Sequence, residues 1–328
     1  MSPIPVTLVT GFLGSGKTTL LNHLLTNGGS RRFAVIENEY GDVGIDGALV
    51  DPPSGVLFEL NDGCVCCSVR QDLIEVFEQL LERLDEVDHI ILETTGLAEP
   101  EPVMRLFDIP AIRSAFVLDG VVTVVDAGHL EESLADVSAC TEQIAYADVL
   151  LLNKIDRVTK PALDAVEARL RSLNPLASIQ RTQMAQADVE GVLDLGGRPD
   201  DERVPRASSH DHGHDHGHSH GHHHDEAIQS VVVEASGEVD VAALDRWLGH
   251  ITMSREAPIL RMKGILAIPG DPRRFVFHGV RRVVDVRPDR PWEQESRFSR
   301  IVFIGRGLDH TALQEGFSSC LSAPASGH

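Results

Sequence analysis

Positive charge is scarce in this chain. Among 328 residues, 29 Lys and Arg face 50 Asp and Glu, for a formal charge of -21 with histidine neutral. A surface with that balance repels phosphate backbones and anionic lipid, which argues against nucleic-acid and membrane partners and favours cations. Long apolar runs are also missing. The longest, Ala115 to Val125, is interrupted by Asp119 and is too short to cross a bilayer. No basic segment followed by an apolar one opens the sequence, so the expectation is a cytoplasmic protein. Cysteine is sparse, with five in all, and three of them fall within four residues. That spacing is no disulfide framework; in a reducing compartment the thiols would serve metal or redox chemistry.

The length exceeds that of a usual single domain, and 42% hydrophobic residues supply ordinary cores. Short aliphatic or β-branched runs at Ile4–Val9, Phe33–Ile36, Ile90–Leu92, Val121–Val125 and Val149–Leu152 alternate with helical stretches such as Thr18–Leu25, Asp72–Leu84 and Pro161–Leu173. Alternation of this kind predicts an α/β domain with a mainly parallel sheet over residues 1–195. Residues 196–227 break the pattern with Gly, Pro, Asp, Ser and a histidine run and are expected to be a linker. Residues 228–328 hold more strand-like runs than helical ones. A smaller α+β domain is expected there.

Gly11-Phe12-Leu13-Gly14-Ser15-Gly16-Lys17-Thr18 matches G-x-x-x-x-G-K-[ST] at every fixed position, between an apolar run and a helical stretch. In such a loop, backbone N–H groups at Gly11, Gly14, Ser15 and Gly16 turn toward phosphate oxygens. Lys17 supplies a point charge to the β- and γ-phosphates, and the Thr18 hydroxyl can coordinate Mg2+. Asn153-Lys154-Ile155-Asp156 follows the run Val149–Leu152, where a ligand-binding loop of an open α/β sheet belongs. The Asp156 carboxylate can accept two hydrogen bonds from guanine that adenine does not offer, which favours GTP over ATP and disfavours a kinase reading. Glu93-Thr94-Thr95-Gly96 closes another apolar run. Glu93 there can order Mg2+ or its water, and Gly96 can bring a backbone N–H to the γ-phosphate. Lys17, Thr18, Glu93 and Glu39 are the candidate catalytic residues; Glu39, Asp42 and Glu93 are alternatives for the base that activates water.

Cys64-Val65-Cys66-Cys67 follows the polar turn Asn61-Asp62-Gly63. Three thiolates suit Zn2+, Co2+ or another late transition metal, and they leave a tetrahedral ion one ligand short. Glu37 and Asp42, in a stretch suited to a nucleotide-sensing switch, could complete the site.

These residues resemble the CobW-type metallochaperone GTPases of the SIMIBI class. The resemblance rests on Gly11 to Thr18 with the following Thr19, on Glu37-Asn38-Glu39 and on the Cys-x-Cys-Cys element. It rests further on Glu93 to Gly96, on Asn153 to Asp156 and on Arg261-Met262-Lys263-Gly264 in the C-terminal part. It implies GTP hydrolysis coupled to delivery of zinc, or in some members cobalt or iron, to a client protein. It also implies metal ligation by Cys64, Cys66 and Cys67, with Glu37 and Asp42 as extra ligands. Members that serve an aminopeptidase carry a docking extension ahead of the loop. Ten residues precede Gly11 here, so no client is carried over.

The tract His210–His224 alternates histidine with Asp, Gly and Ser, and neutral imidazoles at that density can collect Zn2+, Ni2+ or Co2+ at overlapping positions. His23, His89, His129, His250, His278 and His310 are isolated and expected at surface or packing positions, as are Cys140 and Cys320. The expected function is a GTP-dependent metallochaperone that transfers zinc to a metal-requiring client. Alternatives are a metal buffer or sensor with incidental hydrolysis, or a cobalt insertase accessory for cobalamin synthesis. The sequence is compatible with an oligomer.

Overall fold

The computed structural model describes residues 2–37, 55–59, 68–136, 138–195, 228–253, 258–280 and 283–322. They fall into two compact units. The first unit carries strands β1 (Ile4–Thr10), β2 (Phe33–Glu37), β3 (Gly55–Glu59), β4 (His89–Glu93), β5 (Phe116–Asp126), β6 (Val149–Asn153) and β7 (Ser178–Arg181). Its helices are α1 (Lys17–Asn27), α2 (Ser68–Leu81), α3 (Glu101–Met104), α4 (Pro110–Ala115), α5 (Leu130–Asp136), α6 (Ser138–Tyr146) and α7 (Lys160–Leu173). The sheet order is β3-β2-β4-β1-β5-β6-β7, and every pairing is parallel. The expected parallel α/β fold is therefore the one observed.

Central strands of such a sheet are covered on both faces, which explains why they read as apolar runs rather than alternating ones. Leu20, Leu21, Leu24 and Leu25 of α1 pack on Val9, Val35, Ile91, Val122 and Val124 in one buried cluster. Strand β5 is longer than its sequence suggests. Its register with β1 passes from Val6↔Leu118 to Thr7↔Gly120, so Asp119 is the extra residue of a bulge. The carboxylate that interrupts the apolar run is thereby absorbed, accepting from the Leu195 N–H at 3.0 Å and the Thr7 hydroxyl at 3.3 Å. Strands β3 and β7 lie at the two edges of the sheet.

Because the strands run the same way, their carboxyl ends share one edge. Glu37 of β2 is the register neighbour of Glu93 of β4, Glu93 pairs with Val9 of β1, and Asp126 of β5 pairs with Asn153 of β6. That edge carries the motifs.

The second unit contains β8 (Ile228–Ser236), α8 (Val241–Thr252), β9 (Ile259–Ala267), β10 (Arg273–Val280), β11 (Val283–Pro291), β12 (Phe298–Arg306) and α9 (His310–Ser318). Its antiparallel sheet runs β11-β10-β9-β12-β8, the smaller α+β architecture that was expected. Both helices start on an aspartate: Asp240 accepts from Ala243 N–H at 2.9 Å and Asp309 from Ala312 N–H at 3.1 Å. Leu244, Leu248, Leu313 and Phe317 from the helices meet Met262, Phe277 and Phe303 from the sheet. Trp247 stands edge-on to Phe303. Among the described residues no helix is long and apolar enough to cross a membrane.

Candidate functional site

The loop between β1 and α1 is shaped by what surrounds it. At Gly11, φ is 138° and an added Cβ would lie 2.2 Å from the Val124 carbonyl oxygen. Only glycine allows the loop to leave the sheet this close to β5. Gly16, with φ 113°, precedes α1 and stands where a Cβ would meet Asn153 Nδ2 at 2.6 Å. No side chain caps α1 and no acid occupies its first turn, so its leading N–H groups and dipole can receive an anion. Lys17 is buried beside the loop, its Nζ 3.5 Å from the Phe12 carbonyl. The Ser15 hydroxyl is buried without a protein partner. Thr18 is half-buried in the first turn of α1 and Thr19 is exposed. An uncapped helix start, a buried ammonium and an orphaned hydroxyl fit a polyphosphate.

Asn153 and Lys154 bind the loop from the side. Asn153 is buried; its Nδ2 donates to the Ser15 carbonyl at 2.9 Å, and its Oδ1 accepts from Ala185 N–H at 2.9 Å and the Thr182 hydroxyl at 3.3 Å. Three of its four hydrogen-bonding positions are engaged within the protein. Lys154, in the left-handed region at φ 60°, donates to the Gly14 carbonyl at 2.6 Å and to Asp126 Oδ2 at 2.7 Å. Burial alone would raise the Asp126 carboxyl, but hydrogen bonds from Lys154, the Gly128 N–H and His129 outweigh it and hold it below the usual carboxylate range. Asp126 thus keeps Lys154 directed at the loop. Asp156 sits in the following short turn, exposed to solvent.

On the other flank, Glu93 ends β4 and Thr94 is tied to β1. Its N–H donates to the Val9 carbonyl at 3.0 Å and its hydroxyl to Thr10 Oγ1 at 2.9 Å. Gly96 presses on the loop, since a Cβ there would come 2.6 Å from the Leu13 nitrogen. Glu37 is buried at the end of β2, beside Glu93 in register. Glu39, Asp42, Cys64, Cys66, Cys67 and the tract His210–His224 lie outside the described residues. Among the described residues, no group of three His, Cys, Asp or Glu could hold a metal ion.

Sequence reasoning missed two contributors to this edge. Asp126 carries no motif of its own, although its place at the end of a strand is a signal. The turn after β7 holds Met184 and Ala185, both at φ 51°, with Met184 exposed beside the Asn153 contacts. Two consecutive non-glycine residues in the left-handed region mark a turn held by its surroundings. Cys140 is buried and its thiol is pushed up to about 11 by desolvation. It borders a cavity of about 330 Å³ beside the loop, shared with Leu13, Asp126, Gln143 and Lys154.

The CobW/HypB/UreG nucleotide-binding domain family matches residues 5–181, and the cobalamin synthesis protein CobW C-terminal domain matches residues 228–321. The chain belongs to this family. It is a P-loop GTPase. Over 323 residues it is 33% identical to the zinc chaperone YjiA of Escherichia coli, covering 97% of this chain and 99% of that protein. It is 38% identical to the zinc chaperone CobW of Pseudomonas aeruginosa, covering 98% of this chain and 92% of that one. The crystal structure of the Zn(II)-bound YjiA GTPase from E. coli superposes with a TM-score of 0.74 at 28% identity, over 98% of this chain and 100% of that one.

Proposed function

We propose that this GTPase is a cytoplasmic metallochaperone that binds zinc at Cys64, Cys66 and Cys67, with Glu37 and Asp42 as further ligands. It hands the ion to a metal-requiring client as GTP is hydrolysed. The observation that carries the reading is the register pairing of Glu37 with Glu93 across adjacent parallel strands, which sets their backbones about 4.8 Å apart. One carboxylate belongs to the proposed metal set and the other to the proposed nucleotide set. A shift of either strand end is felt by both. The names of the relatives support zinc as cargo; cobalt is the alternative ion.

In this reading Gly11, Gly14, Ser15, Gly16, Lys17, Thr18 and Thr19 hold the phosphates. Asn153 braces the loop, Lys154 covers it, Asp156 reads the base, and Gly96 senses the γ-phosphate. Thr18 and Glu93 would hold Mg2+, which when bound neutralises charge on the β- and γ-phosphates. Glu39, with Asp42 and Glu93 as alternatives, is proposed as the base that activates the attacking water. Residues 1–195 form the GTPase domain, 228–328 the C-terminal domain, and the histidine tract between them raises the local ion concentration. GTP tightens the metal site and hydrolysis relaxes it.

A chelator competition titration run with a non-hydrolysable GTP analogue and then with GDP tests this. Zinc affinity should be higher in the GTP state, by roughly 5- to 150-fold for ordinary coupling energies. The difference should vanish in a Cys66→Ser, Cys67→Ser variant, where protonated hydroxyls replace soft donors. Equal affinities in both nucleotide states would replace the chaperone by a metal buffer.

A further inference from the structure

Gln143 on α6 is fully buried, on a helix that also buries Ala139, Cys140, Glu142 and Ala145. Its Nε2 donates to the Gly96 carbonyl at 3.2 Å and to the Ala98 carbonyl at 3.0 Å. Carbonyls only accept, so the nitrogen must be the atom facing them, and both of its hydrogens are used. The amide oxygen meets no protein donor, and the residue borders the cavity beside the phosphate loop. Thr123 of β5 anchors this position, its hydroxyl donating to the Gln143 carbonyl at 2.7 Å.

Gly96 is thus gripped from two sides. Gln143 holds its carbonyl, while Leu13 of the loop stands so close that a Cβ at residue 96 would be 2.6 Å from the Leu13 nitrogen and 2.9 Å from its Cα. The turn is closed by Ala98 N–H donating to the Thr95 carbonyl at 3.1 Å. Packing alone would be served by leucine or methionine. Two hydrogen bonds to one turn fix backbone direction as well as position, and they are favoured in a site shielded from water.

We propose that Gln143 is a positioning residue for GTP hydrolysis, which sets the Gly96–Ala98 backbone against the phosphate loop so that the turn meets the γ-phosphate. The proposal rests on reading that turn as the γ-phosphate sensor. Gln143 touches neither the phosphates nor the water; it acts through Gly96.

The test uses the full chain with Gln143→Leu, Gln143→Glu and Gly96→Ala. GDP affinity, affinity for a non-hydrolysable GTP analogue, single-turnover hydrolysis and thermal unfolding are measured for each. Gln143→Leu should lower turnover by about 10- to 100-fold, as expected for a misplaced group near a reacting phosphate. It should also reduce the preference for the analogue over GDP while leaving GDP affinity within about two-fold, because the α1 cradle is untouched. Gln143→Glu offers a donor only when protonated. Its turnover relative to the parent should therefore rise as pH falls from about 8 to about 6, a readout that holds even if the leucine variant does not fold. Loss of melting temperature with unchanged turnover and unchanged nucleotide preference, equal loss of GDP and analogue binding, or a flat relative pH profile for Gln143→Glu would each overturn the proposal. Gly96→Ala separates the two layers of the argument. If it changes neither analogue affinity nor turnover, the reading of the turn fails and the proposal with it; if it impairs both while Gln143→Leu does not, the proposal alone fails.

Discussion

Asn153 donates to the Ser15 carbonyl at 2.9 Å across 138 residues of sequence, so the guanine-type motif and the phosphate loop are parts of one hydrogen-bonded object. The same amide accepts from the Ala185 N–H, which joins the turn after β7 to them. Removing this side chain should loosen three segments together. Asn153→Ala is expected to weaken GTP and GDP alike, by roughly 1 to 3 kcal/mol for a buried polar cluster left unsatisfied. Fluorescent-nucleotide titration checks it; a loss confined to GTP would contradict the bracing role.

Asp156 is expected to discriminate the base. Asp156→Asn keeps the shape and removes the charge that would accept two guanine donors, for a loss of about 2 to 4 kcal/mol in GDP affinity and a narrower gap between guanine and adenine nucleotides. Equal GTP and ATP affinities in the parent would refute the assignment.

Gly11→Ala would place a methyl group 2.2 Å from the Val124 carbonyl oxygen at a backbone φ of 138°. Neither the strand nor the loop can move aside without losing sheet pairing. A destabilisation of about 2 to 4 kcal/mol is expected, read as a lower melting temperature together with lost nucleotide binding. A variant that melts and binds like the parent would show that the loop is free of the sheet there.

His89 introduces a pH dependence. The Thr7 hydroxyl donates its one hydrogen to Asp119, so it accepts from His89 Nε2–H at 2.8 Å, leaving Nδ1 unprotonated 3.9 Å from Asp194. Desolvation lowers the His89 pKa, against the pull of Asp119 and Asp194 and with help from Arg31. A depressed histidine pKa means that the unfolded chain binds the proton more readily. Its contribution to stability is present above about pH 6.5 and is lost as pH falls below that value toward the folded pKa. His89→Gln can still donate to Thr7 but does not titrate. Its unfolding free energy should fall less steeply between about pH 7 and about pH 5.5, by up to ~1.4 kcal/mol per pH unit. Identical slopes in parent and variant would show that His89 does not titrate on unfolding in this window.

Local chemistry was legible in the sequence wherever one short segment carries it. The loop from Gly11 to Thr18 and the motif from Asn153 to Asp156 announce themselves because their backbone demands and donor sets are local. The central strands do the same, since burial on both faces leaves continuous aliphatic runs such as Val149–Leu152. The edge strands β3 and β7 did not announce themselves. Ser178-Ile-Gln-Arg is only half-buried, and an edge strand of that kind needs no apolar run. The Asp119 bulge was hidden for a different reason: it exists only in the register of β5 with β1. Strand order is a matter of long-range pairing that composition and period do not encode. Placing β5 between β1 and β6 is what brings Asp126 to Lys154, and packing α6 behind the turn after β4 is what gives Gln143 its two carbonyls. The residue types of the site were therefore decided by the sequence alone. Which side chains hold them in place was decided by the tertiary structure, because a hydrogen bond between segments exists only once the sheet has set their distance and direction.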